Sequence, residues 1–569
     1  MKSNLNSIHK ISKSKSIMNF LIILAILVSS NCKSKLQEMG HDSNNPIVDH
    51  GVVSSAHPLA SQTGIDILEK GGNAFDAAIA VGAALNVVEP AMSGMGGYGT
   101  ILIYDAKENK VRFLDSSGKI PLRTNSDLMR PPTENYLQNR KGAKSVSTPG
   151  IVHSWYALFS EYGNLEWEDP FENAIKLAQE GFPINSDLAN IISIAWSSFS
   201  DYSKKIYGKN GNPLAEGEVL VQEDLAKSFQ QLKKHGPDLF YKGQIAEAID
   251  RAMIESGGFL SIEDLRADKA EWWEPISIHY RGYEVYTASP PSTAFPSLIR
   301  LGIMSQFDNP NPGHNSAEYL HRFAEATKHA FWCRLKYAGD PEIKPPPLDM
   351  LLSDNYWGEI AREIDPDKAS TFIPPFVSEG DESKNTTHFV VADKWGNIVC
   401  ATQTLGNAFG SRIMPEGTGF WLNNSLAYCT YEPKGNPMDA IPGQRKLSGD
   451  CPTIILKNGS PWVALGTPGG HTIGQTVPQM VMNLIDFKMN IQDALEAPRI
   501  SFIEPHELAI EQTVDQKVIE KLTELGHLIF QTRGLGNAHG LMIIRDDSGK
   551  ITAFEGAADP RGSGAAIKY

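Results

Sequence analysis

Apolar residues recur along this chain with two different periods, and the switches between them mark its elements. Leu59, Ile65, Ile67 and Leu68 share one face of a helix predicted over 57–70, which Gly71 and Gly72 stop. Asn73 then caps a second helix, Ala74–Val88, whose many alanines imply burial on several sides. Pro90 ends it, and the glycines between Ser93 and Gly99 lead into a strand over 100–104 that pairs with 111–115. Those glycines either let backbone or ligand approach closely or make a tight helix-to-strand turn. Helical spacing then prevails to about residue 262, with helices over Ile151–Tyr162, Glu172–Glu180, 225–234 and 245–256 and no chemistry-bearing pattern. Alternation returns over 276–287 and stops at Pro290 and Pro291. Helices follow over 296–307 and Ala317–Tyr337, and His321, His329 and Arg334 on the second read as a polar face. Two β-rich runs, 387–392 and 398–404, are joined by Asp393, Lys394, Trp395, Gly396 and Asn397, a connection with hairpin chemistry. Helices over 472–487 and 515–525 and strands near 539–544 and 551–555 close the chain. This order predicts an α+β fold of two sheets covered by helices, an αββα sandwich.

Composition changes this picture only at one end. The 569 residues suffice for a large core, and 41% hydrophobic with 21% charged residues is ordinary globular composition. A net charge of −14 argues against a nucleic-acid partner. The first forty residues differ: Lys2, Lys10, Lys13 and Lys15 precede an apolar run over 20–28, followed by Ser29, Ser30, Asn31 and Cys32. Basic, apolar and small segments in that order describe a secretory signal over 1–31, and about nine to twelve apolar residues are too few for a comfortable membrane span. Cys32 resembles a bacterial lipoprotein site, at which the cysteine is acylated and begins the mature chain. Asn31 departs from the usual Gly or Ala there, and plain signal-peptidase cleavage is the alternative. The expectation is export to the periplasm or cell envelope, with a polar tether over 32–56. Cys333, Cys400, Cys429 and Cys451 form no C-x-x-C pair and no histidine cluster has metal spacing, so neither a metal nor a cofactor is expected. An oxidising compartment permits disulfides, whose connectivity is not legible, while the apolar surroundings of Cys400 suggest a buried thiol.

The chemistry concentrates where a polar arm over 371–384 meets the start of a strand at Asn385, Thr386, Thr387, His388 and Phe389. Threonine is a poor nucleophile without an adjacent base, and its own α-amino group serves if the preceding peptide bond is cut. The alternative is that Thr386 and Thr387 simply open a strand. Asn-Thr-Thr-His-Phe, with Asp393–Asn397 and Thr402-Gln403-Thr404, resembles the γ-glutamyltransferase (glutathione hydrolase) family of N-terminal-nucleophile hydrolases. Further motifs follow the same order: Gly71 to Ala78, Gly94-Met95-Gly96-Gly97, Ser147-Thr148-Pro149-Gly150, Gly257 to Leu260, Tyr280 to Tyr283, Leu422-Asn423-Asn424, Cys451 to Ile454, Thr467-Pro468-Gly469-Gly470 and Ala558 to Gly562.

The resemblance runs from about His57 to the C-terminus and implies the αββα layering. It also implies self-cleavage between Asn385 and Thr386 into a large subunit, 57–385, and a small catalytic subunit, 386–569. Thr386 matches the family nucleophile, whose freed amine, with a pKa near about 8, is the base. Thr404 matches its hydroxyl partner, and Gly469 and Gly470 match the oxyanion-hole pair. Otherwise these are a strand threonine and a tight turn.

The family's substrate clamp is not matched. Ser116, Ser117 and Gly118 stand where the resemblance puts an arginine for the substrate α-carboxylate, and Gly406 and Tyr428 stand at α-amine positions. Of two paired serines Ser448 is kept and Gly449 replaces the other. A carboxylate without its arginine forfeits on the order of 2–3 kcal/mol. Asn407, Asn424, Ser448 and Arg445 remain as candidate substrate contacts, with Arg412 a further cation. The short segment between Asn424 and Ser448 predicts an open pocket. Three functions follow: hydrolysis of small γ-glutamyl amides or transfer to an amino-acid or peptide acceptor; an amidase or acylase acting on another acyl group; and an exported binding protein that kept the fold. Thr386, Thr404, Gly469 and Gly470 argue against the third, and the clamp losses move weight from the first to the second.

Overall fold

Two stacked sheets, of seven and six strands, form the centre of the computed structural model, which describes residues 49–308, 312–376 and 385–569. In chain order the strands are β1 (Gly51–Ser55), β2 (Tyr98–Asp105), β3 (Lys110–Ser116), β4 (Glu271–Trp273), β5 (Ile276–Tyr280) and β6 (Tyr283–Thr287). Then come β7 (Asn385–Asp393), β8 (Ile398–Gly406), β9 (Thr453–Lys457), β10 (Ser460–Gly466), β11 (His539–Arg545), β12 (Ile551–Ala558) and β13 (Ala565–Lys568). The first sheet runs β13-β1-β7-β8-β2-β3-β4 and the second β12-β11-β10-β9-β6-β5. The hairpin expected after Thr386 is present as β7 and β8.

Alternation along each strand sorts its side chains into layers. On β7, Val390 and Ala392 face the second sheet, with Ile398 and Cys400 of β8 and Ile454 and Leu456 of β9. Phe389 and Val391 point the other way, into a cluster with α1 (Pro58–Glu69), α2 (Ala74–Val88) and α3 (Ile151–Tyr162). Ile455, Val463 and Leu465 likewise face outward, against α4 (Phe295–Ser305), α5 (Ala317–Tyr337) and α6 (Ile473–Ile485). The result is the αββα sandwich. Every residue of α2 is buried, and Asn73 caps it in a box with Asp76. An alanine-rich helix buried on every side fits here because other helices cover the face that the sheet does not.

Several expectations move. The tether ends earlier than residue 56, since Gly51–Ser55 is a strand buried along its whole length, paired with both β7 and β13. The run over 276–287 is the hairpin β5–β6, turning at Arg281 and Gly282, both at positive φ. The helix over 472–487 is a 3₁₀ turn, Gly470–Thr472, followed by α6. A three-stranded sheet, Ile500–Ile503, Glu507–Glu511 and Leu528–Thr532, had no expectation at all. The polar face read on α5 does not form. His321 is buried against His527 and the Asp365 carbonyl, His329 meets the Tyr356 hydroxyl at 2.8 Å, and Arg334 alone of the three reaches the cleft that holds Thr386. Cys333, Cys400, Cys429 and Cys451, the cysteines among the described residues, are buried free thiols. The signal over 1–31 and Cys32 lie outside the described residues, and no described helix is long and apolar enough to cross a membrane.

Candidate active site

Thr386 is the second residue of β7, on the face turned toward the other sheet. Opposite it β8 carries a bulge: Asn385 pairs with Gly406 and Thr387 with Gln403, so Thr404 and Leu405 together face Thr386. That extra residue brings the two hydroxyls together. Thr386 Oγ1 donates to Thr404 Oγ1 at 3.1 Å, Thr404 Oγ1 donates to the Asn385 carbonyl oxygen at 2.9 Å, and the Gly406 N–H donates to Thr404 Oγ1 at 2.8 Å. Thr404 thus relays from the Thr386 hydroxyl to the carbonyl of the peptide bond before it. Thr387 points to the other face and donates to Glu89 Oε2 at 2.7 Å, and burial pushes the Glu89 carboxyl up to about 7 against that bond. His388 is buried between the sheets on Thr402 Oγ1, and burial keeps it neutral.

Thr386 and Thr404 open into a cavity of about 50 Å³ whose lining includes Tyr98, Tyr428, Lys446, Ser448, Gly449 and Gly470. The expected open pocket is a narrow one, because Tyr428, Cys429 and Met438 of the short segment fold over it and Leu426, Cys429 and Tyr431 anchor that segment on Ile120 and Met129. Gly469 and Gly470 both have positive φ, and a Cβ on Gly469 would lie 2.4 Å from Thr472 Oγ1. Their N–H groups make no hydrogen bond among the described residues and sit at the N-terminal end of the turn into α6, where the helix dipole favours negative charge.

The other sequence candidates separate. Ser448 lines the cleft, with its Oγ accepting from the Asp450 N–H at 3.2 Å. Asn407 and Asn424 do not: the Asn407 N–H donates to Asn424 Oδ1 at 2.7 Å, which fixes the turn after β8. Arg445, the proposed replacement cation, faces away from the cleft and is held by Glu271 and Glu342 over the Trp273 ring. Arg412 bonds Ser198, and Ser117 is fully buried on Asp115. The Gly94 to Gly97 motif serves backbone packing, since a Cβ on Gly96 would meet the Trp421 carbonyl at 2.2 Å.

What sequence reasoning missed is the charge inside the cleft. Lys446 is 3% exposed, with Nζ 3.6 Å from the centroid of the Tyr98 ring. Burial pulls its pKa down to about 8, with Asp450 resisting. Asp450, also buried, accepts from Thr100 Oγ1 at 3.2 Å, and burial raises its carboxyl. Arg334 enters from α5, and burial next to it pushes His471 down to about 3, so that imidazole is neutral. Among the described residues one group, His321, Glu325 and His527, gathers metal-capable atoms within 4.8 Å. Its members are already engaged: His321 with His527 and Asp365 O at 2.8 Å each, Glu325 with Lys328 Nζ at 2.7 Å.

A threonine hydroxyl at the head of a buried strand, in an αββα sandwich and bonded through a second hydroxyl to the carbonyl before it, defines an enzyme of the N-terminal-nucleophile hydrolase class. The family model for gamma-glutamyltranspeptidase matches residues 60–569, and the chain belongs to that family. It is 35% identical over 568 residues to a glutathione hydrolase proenzyme of Escherichia coli strain K12, covering 95% of this chain and 97% of that one. It is 32% identical over 530 residues to the acylase ACY 1 proenzyme of Pseudomonas sp. strain SE83, covering 91% and 93%. The solved cephalosporin acylase from Bacillus halodurans superposes with a TM-score of 0.83 at 29% identity, covering 93% of this chain and 98% of the other.

Proposed function

We propose that Thr386 is the nucleophile of a self-processing amide hydrolase or acyltransferase. The observation that carries this is the chain of contacts from Thr386 Oγ1 through Thr404 Oγ1 to the Asn385 carbonyl. In the uncut chain Thr386 Oγ1 attacks the Asn385 carbonyl carbon, and Thr404 donates to the oxygen on which negative charge develops. The C–N bond breaks as its nitrogen takes up the hydroxyl proton, which leaves an ester. Water hydrolyses that ester to an Asn385 carboxylate and a Thr386 with a free α-amine. In turnover the amine takes the Oγ1 proton, Oγ1 attacks the substrate amide carbon, and the Gly469 and Gly470 N–H groups hold the oxyanion. The leaving amine departs with that proton, and water or an amine acceptor takes the acyl group from Thr386. The proenzyme names of the relatives support the self-cutting step.

The substrates on this reading are γ-glutamyl amides such as glutathione, as the glutathione hydrolase relatives suggest. A second reading, another acyl group, draws on the acylase relatives and on Gly406 and Tyr428 at the amine positions. The large and small subunits on this reading are 57–385 and 386–569, behind an exported N-terminus lipidated at Cys32. Mass spectrometry of protein from its native host tests all of this together. Fragments of about 39 and 20 kDa are expected, the larger beginning at Cys32 with added lipid mass, and one uncut chain for Thr386→Ala. A cut Thr386→Ala chain would falsify the nucleophile assignment, and a larger fragment that retains Met1 speaks against export.

A further inference from the structure

Lys446 stands one residue beyond the arginine that sequence reasoning favoured, and the two side chains leave the strap on opposite sides. Arg445 goes to Glu271 and Glu342, while Lys446 goes into the cleft with Thr386. An ammonium that is 3% exposed is costly unless oxygen atoms or an opposite charge compensate it. No hydrogen-bond acceptor meets Nζ among the described residues. What it has is the face of Tyr98 at 3.6 Å and the field of Asp450. Asp450 in turn is engaged by Thr100 and fixed by Ser448. The ammonium therefore keeps donors available on the side of the cavity.

The distance suits a short acyl chain. Tyr98 of β2 is the direct partner of Thr404 on β8, one strand spacing of about 4.8 Å away, and Thr404 touches Thr386. An acyl group on Thr386 that crosses Thr404 and Tyr98 brings its far end to Nζ. One position that the resemblance gives to an α-amine contact is empty of side chain. Gly406 has φ +95°, and a Cβ there would lie 2.2 Å from Asn424 Oδ1, so no side chain can extend from that position.

We propose that Lys446 is the specificity-determining anchor of the acyl site, binding the carboxylate of short ω-carboxyacyl amides whether or not they carry an α-amine. This rests on Thr386 being the nucleophile that fills the same cleft. A glutaryl anilide should then be cleaved at least as well as a γ-glutamyl anilide, and both better than a pentanoyl anilide of similar length without the carboxylate.

The test compares purified, self-cleaved wild type with Lys446→Gln and Lys446→Arg. For Lys446→Gln the ratio of kcat/KM for glutaryl over pentanoyl anilide should fall about 10- to 150-fold, mainly through KM, the value of one charge-assisted contact. Lys446→Arg should recover part of it. Calorimetric binding of free glutarate, which needs no turnover, should weaken by a similar factor in Lys446→Gln. Self-cleavage in each variant reports that it folds, and if Lys446→Gln fails to cut, Lys446→Arg and Lys446→Met carry the same comparison. A ratio within about threefold of wild type, with glutarate binding unchanged, overturns the anchor while leaving the nucleophile standing. A Thr386→Ala chain that still cuts itself sinks the nucleophile instead, and glutarate binding still decides the role of Lys446.

Discussion

Gly449 and Gly406 both stand where the resemblance to γ-glutamyltransferases puts polar substrate contacts, and they differ in what they permit. A Cβ built on Gly449 meets nothing closer than the Gly470 carbonyl at 3.5 Å, and the position lines the cleft beside Ser448. Gly449→Ser should therefore fold, cut itself and present a second hydroxyl to a substrate carboxylate. KM for a γ-glutamyl anilide should fall about 3- to 10-fold, the worth of one ordinary hydrogen bond, with kcat little changed. Gly406→Asn is the opposite case, because positive φ and the 2.2 Å approach to Asn424 Oδ1 leave no room for any side chain. Its expected outcome is slow or absent self-cleavage, read as uncut precursor on a denaturing gel. Equal cleavage in the two variants would show that the turn after β8 yields more than its packing indicates.

At the scale of the element, β7 divides its first residues between two tasks. Thr386 faces the cleft, and Thr387 holds Glu89 on the other side. Burial takes that carboxyl from an ordinary 4.5 to about 7. A raised acid pKa means that the folded protein keeps the proton longer than the unfolded chain does. Glu89 therefore favours folding below about pH 4.5, and this contribution is lost as the pH rises through about 7. Glu89→Gln fixes the neutral form, so it should raise Tm at pH 8 and flatten the decline between pH 5 and 8. The gain at pH 8 is on the order of 1–3 kcal/mol. A variant less stable than wild type at pH 8 would mean that the carboxylate is held charged.

Elements with punctuated ends were legible in the sequence: Ala74–Val88 lies between Asn73 and Glu89-Pro90, and Ala317–Tyr337 follows the capping Ser316. Strand β1 was not, because both its faces are covered and Gly51–Ser55 shows no alternation. The cleft cation was misplaced by one position for a related reason. In extended chain, Arg445 and Lys446 face opposite ways, and only the neighbouring carboxylates Glu271 and Glu342 decide which faces in.

Across the whole molecule, the proposed cut at Asn385–Thr386 would divide the chain without dividing either sheet. Strand β1, from before the cut, lies between β13 and β7 from after it, and β8 is flanked by β7 and β2. In the second sheet β9 pairs with β6 across the same divide. The two fragments should therefore elute together from a sizing column and part only in denaturant. This interleaving also gives the protein a history. Before the cut, the strands find one another within a single chain, at the high effective concentration that a covalent link provides. Afterwards the same contacts can be remade only by collision between two molecules. Denatured mature protein should regain activity with a yield that falls on dilution, whereas uncut Thr386→Ala should regain native tryptophan fluorescence at the same yield at any dilution. Cleavage thus turns a fold that can be reached repeatedly into one that is reached once and kept by a barrier, so the lifetime of the mature enzyme is set by how slowly it unfolds rather than by how readily it refolds.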